Sequence, residues 1–327
     1  MSIRPTVVPR LRDRTRWMPW AMRMMLRRLS GAAVCGVLLL DARVLTAQSS
    51  RAASAMQRPA SPPPFVAGYR TSADVAIRIY APAGRLRLTV WARDSVSIVG
   101  TQSARATRFG GGSSTHIKIG VEPSVAGDTT LPAVDWEVFV PARARVWAKM
   151  IDGSIDVGGG AGDVARQTGE FELYTVRGTI SARDVRGVLS IESIDAPVSI
   201  ARASGDVRVR GSRGAVVMTD ITGTMSVATV SGAVSLAGIR ADGRVETIGG
   251  TIDARALSLA GKQLELQTHA GAITLMVDAQ RAPQLLLSQR AGPPVREPAV
   301  KGSVQYGTLV ARSFKGTIRV ERTQAVP

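Results

Sequence analysis

Four aspartates in the middle of the chain, Asp184, Asp195, Asp206 and Asp220, are the residues whose type best suits catalytic work. Two carboxyl groups held about 5–9.5 Å apart can share acid and base duties in glycoside cleavage. The first three recur at intervals of eleven and the fourth follows after fourteen, so they fall in different phases of the repeat that surrounds them. They read as solvated corner residues. His116 and His269 are the only histidines and Cys35 the only cysteine, which excludes a multi-His or Cys-rich metal centre and leaves no Ser–His–Asp or Cys–His set to assign. Gly159-Gly-Ala-Gly-Asp163 resembles a calcium-binding nonapeptide once, one residue out of phase and without a second copy. A phosphate-binding Gly-Lys-Ser/Thr loop is missing. The sequence therefore offers no catalytic residue, no metal site and no cofactor site.

Arg208, Arg210 and Arg213 form the one local basic patch in the repeat zone, with Arg208 and Arg210 two apart and so on one outward strand face. They read first as a solvated face and, alternatively, as the candidate contact for an anionic ligand, either a glycan or a lipid headgroup. The formal charge of +17 over 327 residues invites a nucleic-acid reading. Its distribution argues otherwise. Eleven arginines against two aspartates in residues 1–58 supply +9 of it, whereas residues 169–240 carry eight arginines against seven acids. That repeat zone also has only Phe171 and Tyr174 as aromatics, too few to stack bases.

The basic N-terminus precedes the apolar run Leu29–Leu40, which is stopped by Asp41 and Arg43. Twelve residues are too few to span a bilayer, which takes about 20. The arrangement predicts an export signal over residues 1–47, cleaved after Ala47, with the true start at one of Met18, Met22, Met24 or Met25. Arg27-Arg28 lacks the flanks of a twin-arginine signal, and Cys35 lies inside the apolar run rather than at a lipidation site. Residues 48–68, rich in Pro, Ser and Ala, predict an extended linker. The mature protein is expected in the periplasm or at the cell surface, without a transmembrane span.

From Gly169 the chain divides into eight consecutive units of nine residues. Position 1 is Gly in seven of them, Ala196 being the exception, and positions 3 and 5 are apolar in all eight, from Phe171 and Leu173 to Val234 and Leu236. Position 8 is apolar in seven, interrupted by Ser212. Apolar residues two apart share one face of a strand, and the glycine permits a tight corner. Five strand residues and four turning residues leave no room for a helix. Three aliphatic side chains do not offset the conformational entropy of nine ordered residues, so a unit stands only by stacking on others. The fold class is all-β, a single-strand β-solenoid of nine-residue units with an N-terminal β cap. An antiparallel sandwich or meander is the alternative.

Residues 69–150 alternate without the nine-residue cadence and contain Trp91, Trp136 and Trp147, which implies a cap with a wider core. The solenoid is expected over 151–280. A Pro-containing loop and closing strands follow over 281–327, with Gly302–Tyr306 and Gly316–Val320 returning to the stack.

The segment Asp135-Trp-Glu-Val-Phe-Val-Pro-Ala-Arg-Ala-Arg-Val146, then Asp152-Gly-Ser-Ile-Asp-Val157, then the Gly-x-Val-x-Val units resemble a bacterial family of exported β-strand-repeat proteins of unknown function, known as adhesin-like domains. The resemblance covers roughly residues 70–322. It implies a β-solenoid in the cell envelope and brings no catalytic motif. The expected function is a non-catalytic binding or structural element, with an envelope glycan or protein as partner and no nucleic acid. A carbohydrate-active β-helix enzyme and a periplasmic signalling partner are the alternatives. The inward assignment of positions 3 and 5 predicts that Val207→Asp abolishes the cooperative thermal melt, because a carboxylate would be buried without a partner, whereas Arg208→Ser leaves it within a few degrees of the parent.

Overall fold

The computed structural model describes residues 64–159, 169–291, 295 and 302–323. The predicted export signal, the linker up to residue 63, most of the nonapeptide-like loop and Pro293, Pro294 and Pro298 lie outside the described residues.

All regular structure among the described residues is strand. The first nine strands are β1 (Phe65–Arg70), β2 (Ala76–Tyr80), β3 (Ala83–Trp91), β4 (Ser95–Gln102), β5 (Ala106–Gly112), β6 (His116–Pro123), β7 (Ala133–Pro141), β8 (Arg145–Lys149) and β9 (Asp152–Gly159). The repeat zone contributes β10 (Gly169–Thr175), β11 (Arg177–Arg183), β12 (Arg186–Ser193), β13 (Val198–Ala201), β14 (Ser204–Gly211), β15 (Val216–Thr219), β16 (Thr222–Thr229), β17 (Val234–Ala237), β18 (Arg240–Thr247) and β19 (Ile252–Arg255). Then follow β20 (Gln263–Thr268), β21 (Ile273–Asp278), β22 (Pro283–Gln289), β23 (Ser303–Ser313) and β24 (Ile318–Thr323). Phe65–Gly68, expected as the end of the linker, instead pair with Ser97–Gly100 of β4 as strand. The aromatic ring of Phe65 explains the shift, since it packs edge-on against Trp136 at 5.8 Å.

The strands form two twelve-stranded sheets, and successive units of the repeat alternate between them. The register is parallel with a step of eighteen: Leu189 lies beside Val207, Val207 beside Met225, and in the other sheet Val198 beside Val216 and Val216 beside Val234. Each nine-residue unit is thus half of an eighteen-residue period. Positions 3 and 5 of every unit point between the sheets, and all sixteen of these side chains are at most 3% exposed.

The two corners of each period differ, which the nine-residue pattern conceals. At one corner, position 7 is Thr175, Ser193, Gly211 and Thr229, continued by Thr247, Thr268 and Ser313, and the hydroxyl-bearing members are buried. Their hydroxyls close the turn: Thr175 Oγ1 donates to the Arg177 carbonyl at 2.8 Å, and the Gly250 amide donates to Thr247 Oγ1 at 2.9 Å. Position 8 here is outward, with Ile194, Val230 and Ile248 exposed. At the other corner, position 7 is Asp184, Arg202, Asp220 and Gly238, all with φ between 54° and 66°. Position 8 there, Val185, Ala203, Ile221 and Ile239, is buried.

The ends of the sheets do not follow chain order. β2 lies between β6 and β8, and β3 between β7 and β9, so the first turn of chain is inserted between two later ones. Antiparallel pairing is confined to β1, β4, β5, β6 and β7 at this end. The cap's core is not widened by three tryptophans. Trp136 is buried, but Trp91 and Trp147 are only half-buried, Trp91 stacking on Phe139 at 5.2 Å outside the core. At the far end β23 and β24 pair with β20 and β21, and Pro283 begins β22, the outer strand of its sheet, where its missing amide donor is tolerated.

Glycine at position 1 is required by the neighbouring backbone. Gly205 has φ 120°, and a Cβ there would lie 2.1 Å from the Gly187 carbonyl oxygen. Gly205→Ala is therefore expected to destabilise by more than about 2 kcal/mol in urea unfolding, while Gly111→Ala, with no atom within 4 Å of the new methyl, stays within about 0.5 kcal/mol.

Candidate functional site

The corner carrying Asp184, Arg202 and Asp220 opens into a concave polar groove. Residues eighteen apart stack there, because the amides of Asp184, Arg202 and Asp220 donate to the carbonyls of Ala201, Thr219 and Ala237 in the next period. A second row runs alongside it at position 9, where Arg186, Ser204, Thr222 and Arg240 stand side by side in register. The groove between the rows encloses about 500 Å³, with Ala203 in its floor.

Arg202 donates to both carboxylate oxygens of Asp184, Nε to Oδ1 at 2.6 Å and Nη2 to Oδ2 at 2.7 Å. Arg202 adopts the left-handed conformation (φ 54°) shared by Asp184 and Asp220 at this corner, which a residue with a Cβ adopts at some cost. Asp220 keeps its carboxylate against the backbone of Gly238, where a Cβ would approach Oδ1 to 2.3 Å. Arg186 and Arg240 are exposed and have no hydrogen-bond or ion-pair partner among the described residues. Two free guanidiniums thus bracket two hydroxyls and one carboxylate.

The sequence-predicted patch is dispersed by comparison. Arg208 and Arg210 do share the outward face of β14, but Arg208 is paired with Asp206 on the same strand. Arg213 lies beyond the strand at the opposite corner, where its Nη2 donates to Asp195 Oδ2 at 2.7 Å. Of these three, Arg208 and Arg213 are ion-paired and Arg210 has no ion-pair partner among the described residues. The four aspartates separate in the same way: Asp184 and Asp220 share the groove, Asp195 sits at the other corner, and Asp206 lies on a sheet face. His116 is exposed at the start of β6, its Nδ1 3.0 Å from Thr115 Oγ1. His269 stacks on Phe314 at 4.8 Å. Among the described residues no three metal-ligating side chains gather, and no helix is long and apolar enough to cross a membrane.

No protein-family model matches the chain, and no curated protein matches it. Two solved structures are similar to it at low identity. A candidate adhesin of Bacteroides fragilis shares 11% identity, with 80% of this chain and 98% of that one covered, at a TM-score of 0.41. A candidate cell adhesion protein of Clostridium sporogenes shares 7% identity, with 80% of this chain and 100% of that one covered, at a TM-score of 0.22.

Sequence reasoning missed the groove because it compared units nine apart. The signal was present: cut in eighteens, position 7 reads Asp184, Arg202, Asp220 in one half and Thr175, Ser193, Thr229 in the other.

The hydrogen bonds from Arg202 hold the Asp184 carboxyl below its ordinary value of 3.8, and those from Arg213 do the same for Asp195, burial opposing both. The Gln263 amide, followed by Lys262, lowers Asp242. A carboxyl lowered in the folded state stabilises fully above 3.8, and that contribution is lost as the pH falls through the folded value. The urea midpoint is therefore expected to drop on acidification from pH about 6 to about 2. Arg202→Ala together with Arg213→Ala should shrink the drop by making the midpoint lower already at the higher pH. An acid limb of unchanged size would refute the role of these pairs.

Proposed function

We propose that the chain is an exported β-solenoid with two strands per turn and serves as a non-catalytic binding or structural element of the cell envelope, an adhesin-like role. The observation that carries this reading is the set of in-register outward columns. Side chains eighteen residues apart stand about 4.8 Å from one another along both faces and both corners, which suits an extended ligand or partner. The coil is favoured over a sandwich or meander by its parallel ladders: consecutive strands of one sheet are joined through a strand of the other, as a coil requires.

The non-catalytic part of the reading rests on the sequence, which holds no assignable Ser–His–Asp set and no phosphate-binding loop. Export rests on the basic stretch and short apolar run of residues 1–47.

Two measurements test the proposal. Residues 1–63 fused to a reporter that is active only outside the cytoplasm should give activity, and deletion of Leu29–Leu40 should abolish it. The purified chain, incubated with neutral and acidic polysaccharides, should release no shortened or unsaturated sugars. Turnover of any polymer would replace this reading with the carbohydrate-active one.

A further inference from the structure

The corner groove has the chemistry of a site for one class of ligand. Arg186 and Arg240 mark its two ends, separated by Ser204 and Thr222 in the same row, so their backbones lie roughly 14 Å apart, three strand spacings. Both guanidiniums are exposed and have no partner among the described residues, whereas Arg202 between them is already held by Asp184. The middle of the groove therefore offers the Ser204 and Thr222 hydroxyls and the Asp220 carboxylate, and no free cation. A single phosphate or sulfate would meet only one end. A phosphorylated or acidic peptide would meet both ends but bring one amide donor and one carbonyl acceptor per residue to the middle, whereas a sugar brings several hydroxyls, each able to donate to Asp220 and to pair with Ser204 or Thr222.

We infer that this groove binds an acidic polysaccharide lengthwise along the corner, with carboxylate groups of separate sugars on Arg186 and Arg240 and the hydroxyls of the intervening sugars on Ser204, Thr222 and Asp220. Guanidinium forks match carboxylates bidentately, and a carboxylate such as Asp220 accepts from neighbouring sugar hydroxyls. The groove's volume, about 500 Å³, is within the range of ligand sites. Its walls are set by stacked backbone rather than by loops, so the backbones that carry the two arginines keep their spacing before the ligand arrives. The inference rests on the envelope-binding reading and names its ligand class.

Calorimetric titration of the full chain with a linear hexamer of uronic-acid residues tests it, beside a neutral hexamer of the corresponding uncharged sugar, a uronic-acid monomer and vesicles of anionic phospholipid. The uronic-acid hexamer should bind with an affinity that falls as salt is raised, and the neutral hexamer and the monomer should each bind at least about tenfold more weakly. Arg186→Ser combined with Arg240→Ser should weaken hexamer binding at least about tenfold while the thermal melt is retained, because both side chains are exposed. Arg240→Glu alone should weaken it as well, and provides a second readout should the double variant fold poorly. Arg208→Ser combined with Arg210→Ser should leave binding within about twofold of the parent.

Undiminished binding by the groove variants, equal binding of the neutral hexamer, or binding to the vesicles alone would overturn the inference. So would the absence of hexamer binding, which leaves the envelope-element reading standing. Release of shortened sugars from the hexamer would instead refute that broader reading.

Discussion

The backbone ladder, which through the repeat zone places a residue about 4.8 Å from the one eighteen later, is the constraint on which the rest of the structure depends. It turns the sequence into columns, and each column must be compatible with itself. Inward columns accept only apolar side chains, as in Leu189, Val207 and Met225, or a hydroxyl that finds a turn carbonyl or amide, as in Thr175 and Thr247. Where the backbone of one period meets the next at closest approach, the column is glycine: Gly187, Gly205 and Gly223 each face the carbonyl oxygen of the preceding member.

The same constraint orders the charges. A column of like charges at that spacing would be destabilising. The corner columns alternate instead: Asp184, Arg202 and Asp220 on one side, and Asp152, Arg177, Asp195 and Arg213 on the other, with Arg177–Asp152 and Arg213–Asp195 as ion pairs. On the outward face of the longer strands, Glu192 precedes Arg210, Ala228 and Glu246 in one column. The near neutrality of the repeat zone is thus a consequence of stacking. Arg186 and Arg240 are separated from each other in their column by the uncharged Ser204 and Thr222, and among the described residues neither guanidinium has a partner.

Positions 3 and 5 were legible in the sequence because strand alternation has the same period in both sheets. Val207 and Val216 therefore read alike although they belong to different sheets. For the same reason the eighteen-residue period was not legible from the core, since it is written only in the corners, where position 8 is exposed at Ile194 and Val230 but buried at Ala203 and Ile221. The basic patch of Arg208, Arg210 and Arg213 was assembled from sequence proximity, yet the partner that binds Arg213 is Asp195, eighteen residues earlier. The order of the end strands has no local signal at all. Nothing in Ala76–Trp91 distinguishes strands that β6–β7 and β8–β9 enclose, because their partners, His116 and Arg145 for Ala76, lie far along the chain.

Enclosure of β2 and β3 has a consequence for how the stack is held. An outermost turn of such a stack gains contacts on one side only and is the part that opens first. Here the earliest turn of chain is not outermost. β2 and β3 have neighbours on both sides, and the exposed edge is handed to β1 and β5, which pair antiparallel and so do not continue the parallel template. Growth of the parallel ladder by a further copy is thereby disfavoured at this end. The interior is then fixed from both sides, and the outward columns can vary without disturbing the ladder beneath them. The geometry of those columns is set by strand spacing rather than by loop conformation.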